Sequence, residues 1–164
     1  MIVGVPKEIK NFEYRVGLIP SSVRELIAHG HQVMVQKNAG EKIGFDDACY
    51  QQVGAKIIDT AEEIFAKAEM VIKVKEPQPN ECKMLRANQI LFAYLHLAPD
   101  PIQAELLQKS GCIAIAYETV TNQYGGLPLL APMSEIAGRM AIQAGATCLE
   151  SKNGGRGMLL GGVP

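Results

Sequence analysis

The chain has 164 residues, with 16 lysines and arginines against 17 aspartates and glutamates, so its formal net charge is −1. The basic residues are scattered, which argues against nucleic acid or an anionic membrane as a partner and favours a small molecule. The length suits one domain with a short appendage, and no apolar run is long enough for a membrane span. The amino-terminal apolar run is too short for a signal peptide, so we expect a cytoplasmic protein.

The cysteines are spread evenly, with no C-x-x-C pair and no histidine at ligand spacing. We therefore expect small core side chains in a reducing compartment and neither disulfides nor a metal site. The four are Cys49, Cys82, Cys112 and Cys148.

Short apolar runs alternate with capped helical segments along most of the chain. The runs predict strands at residues 2–5, 33–35, 56–58, 70–74, 90–95 and 112–116. Helices are predicted to start near Ser22, Asp46, Thr60, Glu81 and Asp100, with capping boxes at Ser22–Glu25 and Thr60–Glu63. This alternation predicts right-handed βαβ units and an α/β fold: a doubly wound, mostly parallel sheet of the flavodoxin or Rossmann type with helices on both faces.

The pattern changes after residue 121. Residues 122–132 are rich in glycine and proline, which is typical of a boundary. Ser134 is predicted to cap a long helix whose small residues allow close approach to other subunits. The glycine cluster at its end lacks the flanking strand and helix of a dinucleotide loop, so it predicts a flexible connector. We expect a catalytic, substrate-binding domain over residues 1–128, followed by an inter-domain helix and connector over residues 129–164.

Two runs without polar alternation, residues 70–74 and 90–95, are followed by Lys75 and His96. Such runs are typical of strands buried on both faces, and ligands bind at the edge where the carboxyl ends of parallel strands meet. Arg15 lies in the charged loop after the first strand, and its planar fork fits a carboxylate. Together the three residues suit a small anionic substrate. The alternatives are a solvated surface lysine and arginine, and a histidine satisfied by its surroundings.

Several segments together resemble the amino-terminal part of bacterial alanine dehydrogenases. They are residues 4–8 (GVPKE), 15–16 (RV), 71–77, 94–98 (YLHLA), 117–119 (YET) and 132–138 (PMSEIAG). The resemblance runs over the whole chain in register. The same fold family includes the soluble part of proton-translocating nicotinamide nucleotide transhydrogenase, whose pattern lacks the equivalents of His96 and of the Tyr–Glu pair at 117–118.

The resemblance implies NAD-dependent oxidative deamination of L-alanine to pyruvate and ammonia, and the reverse amination. It implies that Lys75 and His96 are catalytic and that Ser134 lies against the cofactor. The substrate-binding residues that it implies are Arg15, Lys75, Tyr94 and Glu118. It also implies a homo-oligomer, a hexamer in this family.

One departure from the family pattern concerns the cofactor. The family continues into a dinucleotide-binding domain with a G-x-G-x-x-G loop and a catalytic aspartate, and these 164 residues contain no such loop. We therefore expect a fragment of a longer enzyme, inactive by itself. Two alternatives stay open, namely the soluble domain of a transhydrogenase and an isolated module that binds pyruvate or an amino acid.

Overall fold

The structure is a computed structural model that describes residues 1–162, and these residues form two compact units. The first unit is Met1–Tyr117 and the second begins at Glu118. Each unit is described by itself below. The predicted functional boundary after residue 128 stays a prediction, because compactness alone does not show which residues act together.

A parallel sheet forms the centre of the first unit. Its strands are β1 (Ile2–Val5), β2 (Gln32–Gln36), β3 (Lys56–Ile58), β4 (Met70–Ile72), β5 (Ile90–Ala93) and β6 (Ile113–Ala116). In the described part of the chain the sheet has six strands in the order β3-β2-β1-β4-β5-β6, all parallel. The chain runs outward from β1 to β3 and then returns to place β4 beside β1. The predicted doubly wound fold is confirmed, and its topological switch point lies between β1 and β4.

Helices connect these strands. They are α1 (Pro20–Ala28), α2 (Asp47–Gln52), α3 (Ala61–Lys67), α4 (Pro79–Cys82) and α5 (Pro101–Ser110). Three predicted caps are confirmed, since each side chain accepts the backbone N–H of the residue three positions later; they are Asp46, Thr60 and Asp100. These caps satisfy N–H groups that have no partner inside the helix.

Two predicted helix starts are wrong. The capping box at Ser22 is not used, because α1 begins at Pro20, whose fixed φ and missing N–H suit the first turn of a helix. Likewise α4 begins at Pro79 and not at Glu81. The Glu81 carboxylate instead accepts the backbone N–H of Gln78 at 2.8 Å. In both cases the proline marks the start more reliably than the polar side chain after it.

Apolar side chains fill both faces of the sheet. Alternate residues of a strand point to opposite faces, so Val33 and Val35 join one buried cluster while Met34 joins the other. Gly4 of β1 lies directly under α3, where an added Cβ would come within 2.5 Å of Ile64 Cγ2. The absence of a side chain at Gly4 therefore permits the close packing of α3 on the sheet.

The last strand of the sheet is less covered than the others. β6 pairs with β5 along one side, and its side chains Ile113 and Ile115 are exposed. An edge strand of this kind keeps part of its apolar surface in contact with water.

The second unit contains the longest described helix, α6 (Ala131–Leu149). The prediction that Ser134 caps it is wrong, because the helix begins three residues earlier. Inside the helix, the Ser134 hydroxyl donates to the carbonyl of Leu130 at 3.5 Å. A serine within a helix commonly uses its hydroxyl in this way, bonding back to the preceding turn.

Beyond α6 the chain makes one short 3₁₀ turn, Ser151–Asn153, before the glycine-rich stretch. The predicted connector extends to Val163 and Pro164, which lie outside the described residues. Among residues 1–162, none of the helices is long and apolar enough to cross a membrane.

Candidate functional site

The segments that follow β4 and β5 run side by side past the ends of these strands. Ile72 is in register with Phe92, and beyond this pair the N–H of Tyr94 donates to the carbonyl of Val74 at 3.1 Å. The backbone pairing therefore carries both segments to the same edge of the sheet.

Lys75 and His96 lie on these two segments, each three residues beyond its strand. The predicted strands over 70–74 and 90–95 are thus too long, because β4 ends at residue 72 and β5 at residue 93. Their relation is as predicted, however, since both residues lie beyond the carboxyl ends of adjacent parallel strands. That edge is where open α/β sheets bind ligands.

Arg15 lies in the loop after β1, the strand next to β4. Its guanidinium donates to both carboxylate oxygens of Glu13, with Nε–Oε1 at 2.8 Å and Nη2–Oε2 at 2.6 Å. These hydrogen bonds hold the pKa of Glu13 below its usual range, and the Lys75 ammonium adds to the effect. The hydrogen bond to Glu13 also raises the pKa of Arg15, and Tyr94 makes a smaller contribution in the same direction. Arg15 and Lys75 therefore both act on Glu13, and Tyr94 acts on Arg15.

His96 has an unusual backbone and a defined ring contact. Its φ is +48°, in the left-handed region that residues other than glycine rarely adopt and that occurs often at functional sites. Its imidazole lies near the ring of Tyr94, with centroids 6.1 Å apart and planes inclined by 14°. The Tyr94 ring in turn meets the edge of Tyr117, whose centroid is 4.9 Å away.

Tyr117 packs against two other aromatic rings, a set of contacts that the sequence analysis did not predict. Its ring also packs edge to face on Phe92 with centroids 4.2 Å apart, and burial raises the pKa of its hydroxyl. Tyr94 therefore packs against a half-buried neighbour, which limits the positions open to the His96 ring. Only the pairing of β5 with β6 brings these aromatic residues together.

The two remaining predicted site residues belong to the second unit. Glu118 is half-buried in the 3₁₀ turn Tyr117–Thr119, and Ser134 is exposed on α6. Their roles in binding substrate and cofactor stay predictions.

A buried ionic cluster lies beneath the site, and the sequence analysis did not identify it. The side chain of Lys73 is 0% exposed, and its ammonium contacts Glu81 at 2.7 Å and Glu8 at 3.2 Å. Both carboxylate side chains are 2% exposed. Burial raises the pKa of Glu8, an effect that the Lys73 ammonium partly offsets. The available signal was a lysine inside the apolar run 70–74, since a buried charge requires a buried partner.

A cleft of about 450 Å³ opens next to this region. Its walls come from residues 7–14 and 38–42, in the loops after β1 and β2, and include Glu8 and Glu13. The volume lies within the range of small-molecule pockets. The Glu13 carboxylate thus lies between this cleft and Arg15.

No group of three or more histidine, cysteine or acidic side chains within residues 1–162 is arranged to hold a metal ion. All four cysteines are free thiols.

The fold defines a class: a doubly wound α/β domain in which Lys75 and His96 follow the carboxyl ends of adjacent parallel strands. Residues 4–137 match the family model described as the N-terminal domain of alanine dehydrogenase/PNT. Because the match covers more than half of the chain, the chain belongs to the alanine dehydrogenase/PNT family.

The comparison with curated proteins agrees with this assignment. The alanine dehydrogenases of Halomonas elongata and Bacillus subtilis are 54% and 53% identical to the chain over all 164 residues. These alignments cover 44% and 43% of the two proteins, so the chain spans less than half the length of the curated relatives that it matches.

Two solved structures resemble the chain, an alanine dehydrogenase more closely than a transhydrogenase. An L-alanine dehydrogenase superposes with a TM-score of 0.86 at 53% identity, over 100% of this chain and 45% of the other. A transhydrogenase from Sinorhizobium meliloti superposes with a TM-score of 0.70 at 24% identity, over 74% of this chain and 36% of the other. The second similarity shows the fold alone.

Proposed function

We propose that this chain forms the substrate-binding portion of an NAD-dependent alanine dehydrogenase, which interconverts L-alanine with pyruvate and ammonia. The observation that carries the proposal is that Lys75 and His96 follow the carboxyl ends of the adjacent parallel strands β4 and β5, while Arg15 lies in the loop after the next strand, β1. It is supported by relatives named alanine dehydrogenase that share about half of its residues over its whole length.

Arg15 and Lys75 would hold the substrate carboxylate. A guanidinium offers two parallel N–H donors to a carboxylate, and an ammonium adds a compact positive charge. In the structure Glu13 occupies the fork of Arg15. A substrate carboxylate would therefore compete with Glu13 for these donors, so the positive charge would be neutralised whether or not substrate is bound.

His96 would exchange a proton with the substrate. An imidazole changes its charge near neutral pH, which suits the interconversion of an amine and a keto group. The contact with Tyr94 and the left-handed backbone would hold the ring at the edge of the sheet. Tyr94 would line the substrate pocket, and Glu118 stays a candidate substrate-binding residue through the family resemblance.

NAD would supply the oxidising equivalent, but the described residues do not form a cradle for its pyrophosphate. β1 is followed by Pro6, Lys7 and Glu8, and not by a glycine-rich turn that enters a helix. In the described part of residues 154–164, the glycines are not flanked by a strand and a helix. The cofactor would therefore be bound by the whole enzyme, with Ser134 as the contact from this chain.

Assembly and location are further parts of the proposal. α6 exposes Ile136, Met140 and Ile142, an apolar surface that suits contact with other subunits of a homo-oligomer, a hexamer in this family. Four free thiols suit the reducing cytoplasm. Light scattering on the whole enzyme would measure the subunit number, and a monomer would contradict the assembly.

The test of the function is a chimera in which residues 1–164 of this chain replace the matching part of the Halomonas elongata enzyme. We expect it to form NADH from L-alanine. Lys75→Ala and His96→Ala should each lower kcat by about 10²–10⁴-fold, the usual contribution of a positioned acid–base group.

The matched controls are Lys109→Ala and His29→Ala, which remove the same side chains from exposed positions elsewhere in the first unit. Both should leave turnover unchanged. Turnover that survives in the Lys75 and His96 variants, or a folded chimera without alanine-dependent NADH formation, would contradict the proposal.

A second candidate is a pyruvate-binding module, favoured because Arg15, Lys75, Tyr94 and His96 all lie in one compact unit. Calorimetry on the 164-residue chain should then detect pyruvate binding that Arg15→Ala abolishes. An absence of heat in the wild-type chain would exclude a preformed site.

A further inference from the structure

The buried carboxylate of Glu8 contacts both the ionic cluster and the backbone of Lys75. Its Oε2 accepts from the Lys73 ammonium at 3.2 Å. Its Oε1 accepts the backbone N–H of Val74 at 2.6 Å and lies 3.4 Å from the N–H of Lys75. One side chain thus reaches two consecutive backbone groups of the segment that carries Lys75.

The Val74 N–H needs such an acceptor because β4 has lost its neighbour at this point. In a parallel sheet, successive N–H groups of a strand point to opposite sides. The N–H of Lys73 donates to Phe92 on the β5 side, so the N–H of Val74 points toward β1. β1 ends at Val5, and the next residue is Pro6. Glu8, on the loop after β1, replaces the missing strand as the acceptor.

The ionic cluster holds Glu8 in place. Its side chain is 2% exposed, and the Lys73 ammonium that it contacts is also bound by Glu81. A buried carboxylate cannot leave an ammonium without a large loss of electrostatic stabilisation. The acceptor for Val74 is therefore fixed by a contact that lies below the surface.

We propose that Glu8 is a positioning residue, which fixes the Val74–Lys75 backbone and so the point from which the Lys75 side chain reaches the substrate carboxylate. This inference rests on the proposed function. Glu8 touches neither substrate nor cofactor in this scheme and acts only through Lys75.

Two substitutions separate the geometric role from the charge. Glu8→Asp keeps the negative charge near Lys73 but is one methylene shorter, so it cannot span Lys73 and the Val74 N–H together. Glu8→Gln keeps the length and an oxygen for Val74 but loses the charge. In the chimera, Glu8→Asp should lower kcat/KM for L-alanine about a hundredfold, as a displacement of about 1 Å does. The KM for NAD should not change.

Glu8→Gln should show the reverse pattern. Its turnover per folded molecule stays near that of the parent chimera, while its thermal midpoint falls because Lys73 loses one of two carboxylates. A role confined to charge or stability predicts the opposite order, with Glu8→Gln the less active variant. The proposal would be overturned by that order of activities, or by a normal kcat/KM in Glu8→Asp. If Glu8→Gln does not fold, the kcat/KM of Glu8→Asp decides by itself.

Amide hydrogen exchange in the 164-residue chain tests the contact without any turnover. The Val74 amide should exchange slowly in the wild type and markedly faster in Glu8→Asp. Glu81→Asp is the matched control, because Glu81 binds the same ammonium but no backbone group of Val74 or Lys75. It should leave the Val74 amide protected.

The two readouts separate the possible failures. A Val74 amide that exchanges rapidly in the wild type, or equally in both Asp variants, would overturn the positioning role and leave the proposed function standing. A parent chimera without alanine turnover would contradict the proposed function, while the exchange data would still show whether Glu8 anchors this backbone.

Discussion

Replacing Lys73 with methionine would test the buried ionic cluster most directly. The substitution keeps an unbranched side chain of similar length but removes the ammonium that two carboxylates share. Glu8 and Glu81 would remain 2% exposed with no positive partner between them. Glu8 would keep its backbone contacts with Val74 and Lys75, and Glu81 would keep its hydrogen bond from Gln78.

The expected loss of stability follows from these contacts. Removing one partner of a buried ion pair costs about 3–5 kcal/mol because the remaining charge is left uncompensated. A domain is usually stable by about 5–15 kcal/mol, so Lys73→Met should remove roughly a fifth or more of the free energy of unfolding near neutral pH.

The loss should depend on pH. Burial already raises the pKa of Glu8 above its ordinary value of 4.5, and loss of the ammonium raises it further. An acid with a raised pKa in the folded state binds protons more readily when folded, so it favours folding at acidic pH. That contribution is lost as the pH rises through the folded pKa. The difference between variant and wild type should therefore be smaller at about pH 5 than at about pH 7.5.

The assay is urea unfolding followed by circular dichroism, since the chain contains no tryptophan. The matched control is Lys109→Met, which removes an exposed lysine that pairs with Glu105 on the surface of α5. Exposed pairs contribute little, so this control should unfold with the wild type. Equal unfolding midpoints for Lys73→Met and Lys109→Met at neutral pH would refute the reasoning.

Further predictions concern the packing of the first unit and one helix of the second. Gly4→Ala should cost about 1–3 kcal/mol in urea unfolding, because the new methyl would overlap Ile64. Gly138→Ala, where an added Cβ meets no atom within 4 Å, should stabilise α6, and a loss at this position would contradict the packing argument. Tyr50→Phe should cost about 1–3 kcal/mol, since its buried hydroxyl donates to the Leu18 carbonyl at 2.9 Å. Burial raises the pKa of Tyr50 to about 12 and also raises that of Tyr117, so ultraviolet titration should show two tyrosines that ionise late, and folding should weaken as the pH approaches the raised pKa of Tyr50.

Local signals account for the parts of the fold that the sequence predicted well. A helix cap such as Asp46 or Thr60 accepts the N–H of a residue three positions later, so both interacting residues lie within one short segment. The starts of α1 and α6 were predicted late for a related reason. Serines were available as caps at residues 22 and 134, but the proline-containing turns before them begin each helix earlier.

The candidate site was partly predictable for the same reason. Lys75 and His96 stand out because each follows an apolar run, and topology alone brings the ends of adjacent parallel strands to one edge. The partners of Arg15 and Tyr94 were not predictable, because nothing in the charged loop indicates that Glu13 binds the guanidinium, and Tyr117 follows β6, which lies beside β5 only in the folded sheet.

Sequence by itself determined the order of strands and helices, the parallel sheet and the edge at which the basic residues appear, since periodicity and turn residues act over a few positions. Only the tertiary structure decided how the charges are paired. Lys73 lies 65 residues from Glu8 along the chain, and the two meet because β4 is placed beside β1. The cost of burying an ammonium depends on what surrounds it, and no local pattern specifies those surroundings.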